Sequence, residues 1–311
     1  MDAKIFLDHF RYRPLMIHAL LLIVPYLSFA DGWGFRGHIA ISRLAYNLIN
    51  EKTINYMSRV MGKPVGHPEF VEMSIWADRV ARKDPYEWSK NLHFTQKGGC
   101  LGSFTMREDP DCLLSSVSYF TRVLLNDVDR GSKVEKQDAL RFLIHFAGDL
   151  HAPFHIGDEH DLNGAHIKVF DPVMCLLDKQ SPVAPSTSLH QVWDSHVLKL
   201  REAQTGESLN AIIDSFVSTI NKQRQTTLRG RYIGLRESES IPELTLRQAG
   251  HSRTITKEVG LLDAKGRPIV SGDHLSREYF DTACPVALGA LREAGVNLAS
   301  ILNRIADSQD L

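Results

Sequence analysis

Several side chains that can bind a metal cation stand close together in the stretch IHFAGDLHAPFH, Ile144 to His155. The stretch combines three histidines and one aspartate with phenylalanine, isoleucine and leucine. Buried histidine and aspartate are unfavourable unless they are paired or bound to a metal. The stretch is therefore either a polar face that is rich in histidine or one part of a cation site.

The spacing within this stretch suits a shared cation. A helix over 134–151 would end before Pro153, and it places His145 and Asp149 one turn apart on the same face. Two side chains one turn apart can reach the same cation. His155 lies just beyond the helix and can turn back toward them.

Two further fragments carry the same residue types. His190 and Asp194 in LHQVWD repeat the spacing of four residues, and two such pairs in one chain favour a metal site more strongly than one. In WADRVARKDPYEWSKNLHF, Asp78 and His93 offer another carboxylate and another imidazole.

The N-terminal region adds one more possible set of ligands. Arg11 and Arg13 precede the apolar run LMIHALLLIVPYLSF, and small residues precede Trp33, a pattern typical of a secretory signal peptide. We therefore predict a signal peptide over 1–32, cleaved before Trp33 to give a secreted or periplasmic protein; an uncleaved membrane anchor is the alternative. Cleavage would let the α-amino group and carbonyl oxygen of Trp33 chelate a metal with His38, unless Trp33 only anchors the N-terminus in the core.

Composition excludes few function classes. The 311-residue chain is 43% hydrophobic and 23% charged, an ordinary globular balance. The net charge of −1 and the sequence pI of about 6.9 leave no general basic field that would hold long nucleic acid. Attraction for an anionic partner must then come from a local site.

Apolar periodicity predicts a mostly helical chain. In CPVALGALREAGVNLASILNRI the apolar residues recur at spacings of three and four, with Pro285 suited to the first turn of a helix. Similar patterns cover roughly 36–50, 67–83, 113–126, 134–151, 187–204 and 207–226. Segments predicted to be irregular are 96–111, 171–186 and 239–274. HIKVFD, 166–171, is the best strand candidate, and no boundary divides 33–311, which predicts one all-α domain.

The four cysteines are Cys100, Cys112, Cys175 and Cys284. An even number in an exported chain favours two disulfides. The sequence leaves all three pairings open, and the cysteines are too scattered for a cysteine-based zinc site.

Taken in order, WGFRGH, WAD…LHF, HFAGDLHAPFH and LHQVWD resemble the zinc-dependent single-strand nucleases of the S1/P1 type across nearly all of the mature chain. The resemblance implies a mostly helical domain with three zinc ions in a cleft. The implied ligands are Asp78, His93, His145 and Asp149 for the first zinc, His155, His190 and Asp194 for the second, and Trp33, His38 and the shared Asp149 for the third.

The resemblance also implies an activity. The protein would be a secreted endonuclease that hydrolyses single-stranded DNA and RNA to 5′-phosphorylated products and also acts on 3′-nucleotides. Asp78 and Asp149 would take the catalytic roles beside a zinc-bound hydroxide that attacks phosphorus. Phe94 would stack on an unpaired base, with Leu162 as the opposite wall. Neither a membrane nor an obligate protein partner is implied for the mature form.

Three positions depart from the family pattern. Ala81 stands where the family has an arginine that contacts phosphate, and Arg79 and Arg82 on either side are our candidate substrate contacts. A helix turns about 100° per residue, so neither is an automatic replacement. Gln96 replaces an acidic residue that contacts the base, and Ala165 replaces an asparagine.

Two other functions compete with the nuclease. A zinc phospholipase C shares the N-terminal tryptophan and the three-zinc arrangement, whereas the Phe94 platform and the WAD…LHF fragment favour the nuclease. A zinc-binding protein without catalysis would be disabled at Ala81 and Ala165, and it predicts full metal loading without turnover.

Overall fold

The computed structural model describes residues 33–95, 110–127, 134–157, 163–171, 186–226 and 239–310. These residues form one mainly helical domain with a small two-stranded sheet, which confirms the predicted fold class. The predicted signal peptide, 1–32, lies outside the described residues. No helix in the described part of the chain has the length and apolar character needed to cross a membrane.

Eleven α-helices are found in the described ranges. The first six are α1 (Phe35–Tyr46), α2 (Glu51–Met61), α3 (His67–Ser74), α4 (Trp76–Val80), α5 (Leu113–Leu125) and α6 (Lys136–Asp149). The others are α7 (Leu189–Gln191), α8 (Val197–Thr205), α9 (Leu209–Thr226), α10 (Ile241–Ile255) and α11 (Arg277–Asp307). Short 3₁₀ segments cover Glu87–His93, Pro153–His155 and Ser308–Asp310, and π-helical turns cover Val192–His196 and Thr256–Gly260.

One core holds these helices together. The buried apolar side chains form a single cluster that runs from Trp33 to Ala306. Helix α1 packs against α3 and α11, and α5 packs against α6. At the α1–α11 crossing, a Cβ atom on Gly295 would lie 2.7 Å from Leu44 Cδ2, so only glycine permits this close approach.

The sheet is small and lies near the candidate site. Strand β1 (Lys168–Phe170) falls within the predicted segment 166–171 and pairs antiparallel with β2 (Ser186–Ser188). Ser188 then caps α7, because its side chain accepts a hydrogen bond from the backbone N–H of Gln191.

Several helix boundaries differ from the sequence-based expectations. The predicted helix over 67–83 is interrupted at Ile75, between α3 and α4. Pro285 lies inside α11 rather than in its first turn, since the helix already begins at Arg277 behind the N-cap Ser276. Helix α10 occupies part of 239–274, which was predicted to be irregular. Its capping box, Ser240 with Glu243, is the sequence signal that could have revealed it.

The prediction of two disulfides is wrong. Cys284 is buried in α11 with a free thiol, and its Sγ contacts the carbonyl oxygen of Val197. Cys112 is disulfide-bonded. Its partner is therefore Cys100 or Cys175, both of which fall outside the described residues.

Candidate metal centre

Eight of the predicted ligand side chains come together in the interior. They reach it from α1, α4, α6 and α7, from the 3₁₀ segments Glu87–His93 and Pro153–His155, and from the π-helical turn Val192–His196. All eight are buried: His38, Asp78, His93, His145, Asp149, His155, His190 and Asp194.

The first part of the centre surrounds His145. Its Nε2 atom lies 3.2 Å from Asp149 Oδ2 and 3.4 Å from Asp78 Oδ1. His38 Nε2 lies 3.1 Å from Asp149 Oδ1, and the rings of His38 and His145 stack with their centroids 3.9 Å apart. His93 Nε2 completes this part at 3.6 Å from Asp78 Oδ1.

The second part joins His155, His190 and Asp194. Asp194 Oδ2 lies 2.9 Å from His190 Nε2, and its Oδ1 lies 3.7 Å from His155 Nε2. In each part, potential ligand atoms from three side chains lie within 4.8 Å of one another. Asp149 Oδ1 is also 3.6 Å from His155 Nδ1, so this carboxylate lies between the two parts.

Backbone carbonyl groups orient three of the imidazoles. The Nδ1 atoms of His145, His155 and His190 lie 2.7, 2.7 and 2.6 Å from the carbonyl oxygens of Ser74, His93 and Asn163. A carbonyl oxygen can only accept a hydrogen bond, so each Nδ1 carries a proton. In the neutral ring the Nε2 lone pair is then available to a cation, which is how metal-binding histidines are usually held.

The polar atoms that face inward have no hydrogen-bond partner among the described residues. These atoms are Nε2 of all five histidines, both carboxylate oxygens of Asp78 and Asp149, and Oδ2 of Asp194. Burying so many polar atoms without a hydrogen-bond partner is unfavourable unless a cation binds them. A set of imidazole nitrogens and carboxylate oxygens without thiolates suits zinc, so these residues fit the implied metal.

The centre is also strongly coupled electrostatically. Burial alone would raise the pKa of the Asp149 carboxyl, but His145 and His155 hold it well below its usual range. Burial would lower the pKa of His145, but Asp149 and Asp78 raise it well above its usual value. At His93 burial prevails and lowers the pKa to about 4. The carboxylates therefore stay ionised and attract positive charge.

Trp33 lies beside the centre. Its indole ring is fully buried, and the next amide, Gly34 N–H, donates to the carbonyl oxygen of Asp194 at 3.2 Å. A Cβ atom on Gly37 would lie 2.7 Å from Trp33 Cβ, so α1 needs a glycine against this residue. The backbone of Trp33 thus adjoins the π-helical turn of Asp194. A ligand role for its α-amino group stays a prediction.

Of the predicted substrate contacts, Phe94 lies beside the metal centre, whereas Arg79 and Arg82 lie on the surface. Phe94 is half-buried, and its ring centroid lies 4.7 Å from that of His155 and 5.7 Å from that of His190. Arg79 instead donates to Glu72 Oε2 on the surface at 2.6 Å. Arg82 is exposed and Ala81 is buried.

Of the remaining predicted positions, Leu162 and Gln96 lie outside the described residues, so their roles stay predictions. Ala165 is half-buried beside Asn163, whose carbonyl oxygen accepts from His190.

Sequence reasoning missed the groups that support these side chains. The orienting carbonyls carry no side-chain signature, because any residue supplies one. The π-helical turn of Asp194 is also invisible to helical periodicity, although such turns are frequent at functional sites. The buried contact of His196 Nδ1 with Asp171 Oδ2, at 2.8 Å, links residues 25 positions apart in the chain and leaves no local pattern.

Comparison with known proteins agrees with this geometry. The family model S1/P1 Nuclease matches residues 33–307. Nuclease S1 of Aspergillus oryzae is 26% identical to this chain, with 94% of this chain and 98% of that protein aligned. Endonuclease 2 of Arabidopsis thaliana is 24% identical, with 93% and 97% aligned, and nuclease P1 of Penicillium citrinum is 23% identical, with 89% and 99% aligned. Since the family model spans most of the chain, the protein belongs to the S1/P1 nuclease family, whose members act on nucleic acids.

Proposed function

We propose that this protein is a secreted zinc-dependent endonuclease that hydrolyses single-stranded DNA and RNA to 5′-phosphorylated products and also removes phosphate from 3′-nucleotides. The observation that carries the proposal is the buried set of imidazole nitrogens and carboxylate oxygens that face one another without hydrogen-bond partners. Family membership supports the same conclusion, because the matched residues include every member of this set.

Three zinc ions would be shared among the nine proposed ligands. The ligands are Asp78, His93, His145 and Asp149 for the first ion, His155, His190 and Asp194 for the second, and the Trp33 backbone, His38 and Asp149 for the third. The two carboxylate oxygens of Asp149 face different ligands, Oδ2 facing His145 of the first ion and Oδ1 facing His38 of the third, which supports its bridging role. The family match begins at Trp33, which supports signal-peptide cleavage at that point.

The chain itself contributes charge balance, orientation and a binding surface. The bound ions would supply an activated water and stabilise the charge that develops on the phosphate. The lowered pKa values keep Asp78 and Asp149 ionised, so their carboxylates would hold the positive ions. Because the three aspartates would neutralise only part of the charge of three zinc ions, the loaded centre would attract a phosphodiester even though the net charge of the chain is −1.

Phe94 accounts for the preference for single strands. Its half-buried ring lies against His155 and His190, so a base stacked on it brings the neighbouring phosphate to the centre. A base can reach this ring only when it is unpaired, and stacking tolerates any base because every base has a π-face.

The test combines metal analysis with a nuclease assay on the purified mature protein. We expect about three zinc ions per chain and release of acid-soluble, 5′-phosphorylated nucleotides from single-stranded DNA and RNA. A chelator should abolish release, and added zinc should restore it. Full zinc loading without turnover on nucleic acid would refute the nuclease and favour a protein that only binds metal. Hydrolysis of choline lipids alone would favour a phospholipase.

A further inference from the structure

An exposed aromatic ring lies in the same helical turn as one of the candidate ligands. Phe35 begins α1, and its side chain is 45% exposed although phenylalanine is usually buried. His38 follows three residues later, so the two side chains are neighbours on the helix. Phe94 lies against His155 and His190. The centre therefore has one aromatic ring near His38 and another beside His155 and His190.

A guanidinium group lies near the Phe35 ring and leaves the side chain 45% exposed. Arg79 Cζ lies 5.8 Å from the ring centroid, and Arg79 directly follows the candidate ligand Asp78. Arg79 also pairs with Glu72 at 2.6 Å, but the two side chains are 47% and 63% exposed. Exposed ion pairs contribute little stability, so a phosphate can take the place of the Glu72 carboxylate. Arginine is well suited to this exchange because its planar fork binds phosphate in a bidentate manner.

The surface beyond Arg79 continues this chemistry. Arg79 lines a cavity of about 270 Å³ together with Lys63, Trp76 and Arg141. The Arg141 guanidinium lies 5.0 Å from the Trp76 ring centroid and pairs with Asp138. The lining thus contains three cationic side chains and two acidic ones, Glu69 and Glu72. Aromatic rings interspersed with cations are the usual surface for unpaired nucleic acid.

We propose that Phe35 and Arg79 form a subsite for the nucleotide that flanks the cleaved phosphate on the side away from Phe94. This inference rests on the proposed function. The base stacks on Phe35, its phosphate pairs with Arg79, and the strand continues toward Trp76 and Arg141. The subsite makes a polynucleotide a better substrate than a mononucleotide. It also gives the chain a phosphate contact that Ala81 does not provide.

The test compares a long substrate with a short one. The value of kcat/KM is measured for an oligothymidylate and for bis(4-nitrophenyl) phosphate with the zinc-loaded protein. We expect Phe35→Ala and Arg79→Ala each to lower the value for the oligonucleotide about tenfold more than the value for the small diester, mainly through KM. Glu72→Gln should lower the oligonucleotide KM, because it frees Arg79.

Matched controls separate this effect from a general loss of surface side chains. Leu246→Ala removes an apolar side chain that is 40% exposed. Arg267→Ala removes an exposed arginine that also pairs with a carboxylate, Asp263. Both controls should leave the ratio of the two activities unchanged. Equal losses on both substrates in Phe35→Ala and Arg79→Ala would overturn the subsite.

A binding measurement makes the inference independent of turnover. Anisotropy of a labelled phosphorothioate oligothymidylate gives its Kd for the zinc-loaded protein at several salt concentrations. Arg79→Ala should weaken binding and reduce the salt slope by about 0.7, as expected for one lost phosphate contact with a single strand. If the wild-type protein cleaves neither substrate, the proposed function fails while this measurement still decides the subsite. Unchanged Kd and slope in Arg79→Ala would refute the subsite alone.

Discussion

His145 and His151 stand near the same end of α6, yet their imidazole rings are used in different ways. His145 Nδ1 is bonded to the Ser74 carbonyl, and its Nε2 faces two carboxylates without a hydrogen-bond partner. Both nitrogens of His151 are occupied, Nδ1 by the Ala147 carbonyl at 2.9 Å and Nε2 by the Asn297 amide at 2.9 Å. Burial lowers the pKa of His151 to about 4, so this ring stays neutral.

The π-helical turn shows the same contrast. Asp194 points its Oδ2 into the metal centre without a hydrogen-bond partner, whereas His196, two residues later, pairs with the buried Asp171. Trp193 Nε1 donates to the Tyr279 hydroxyl at 2.7 Å, and that hydroxyl donates to the Gly260 carbonyl at 3.0 Å. We call His151, Asn297, Asp171, His196, Trp193 and Tyr279 the scaffold network.

A ligand and a structural side chain of the same type differ in whether their polar atoms have partners within the protein. In the scaffold network the polar groups have found partners within the protein, and such networks rigidify a fold. In the metal centre the inward atoms are held in place but left open, which is unfavourable for folding and useful only to a ligand. Buried histidines and aspartates occur in both regions, so the clustering of inward atoms without a hydrogen-bond partner marks the site.

The largest expected effect is the loss of activity in Asp149→Ala. Asp171→Ala is its matched variant in the scaffold network, because both aspartates are fully buried. Asp149→Ala removes the carboxylate whose two oxygens face His145 and His38, the proposed ligands of two different ions. A loss of several kcal/mol of transition-state stabilisation corresponds to about a thousandfold lower kcat/KM. Asp171→Ala should instead lower the melting temperature while the folded protein keeps its zinc content and most of its activity. Near-normal activity of Asp149→Ala would contradict the bridging assignment.

Metal removal is expected to have the next largest effect, now on stability. Without cations the inward atoms of the centre lack hydrogen-bond partners and are unfavourable to bury, whereas the scaffold network is unaffected. Binding of metal to the folded state at about 1,000 times its Kd contributes about 4 kcal/mol, which shifts the melting temperature by about 10 °C. Calorimetry of zinc-loaded and chelator-treated protein measures this shift. A chelated protein as stable as the loaded one would mean that the centre does not bind zinc.

Much of this arrangement could be predicted from the sequence, because the ligands sit in local patterns. His145 with Asp149 and His190 with Asp194 follow helical spacing, and the fragments around Asp78 and His38 follow the family order. The scaffold network could not be found in this way. Asp171 and His196, or His151 and Asn297, meet only through the tertiary fold, and each residue by itself has an ordinary structural explanation.

Two helices differ from the sequence-based expectation for a similar physical reason. Helix α10 has no uniform apolar stripe that stands out in the sequence, and its start is marked only by the capping box of Ser240 and Glu243. Pro285 suggested a helix start because proline favours the first turn, but an exposed position inside α11 also accepts it once packing holds the rest of the helix.

A more moderate effect is expected at Gly148, the residue of α6 against which the His38 ring packs. A Cβ atom at this position would lie 3.0 Å from His38 Nδ1, so Gly148→Ala should displace the ring and misalign its Nε2. Changes in the support of a metal ligand typically reduce metal affinity or activity about 10- to 100-fold. Gly250→Ala is the matched control, since it also lies inside a helix but nothing lies within 4 Å of the added atom.

Zinc content and kcat/KM of both glycine variants decide this prediction. Gly250→Ala should be neutral or more stable by about 0.5–1 kcal/mol, because alanine favours helix more than glycine does. If Gly148→Ala retained full zinc and full activity, the position of His38 would not matter to the centre.

The smallest effect on catalysis is expected from Tyr279→Phe in the scaffold network. The variant removes the acceptor of Trp193 Nε1 and the donor to the Gly260 carbonyl. An unsatisfied buried polar group destabilises a protein by about 1–3 kcal/mol, so urea titration should show a loss in that range at neutral pH. Because Asp194 is held separately by the amide of Gly34 and by its place in the π-helical turn, kcat/KM of the folded variant should stay within about twofold of wild type. A loss of zinc in a variant that remains folded would show that the scaffold network also sets the position of Asp194, and the distinction between the two regions would then be one of degree.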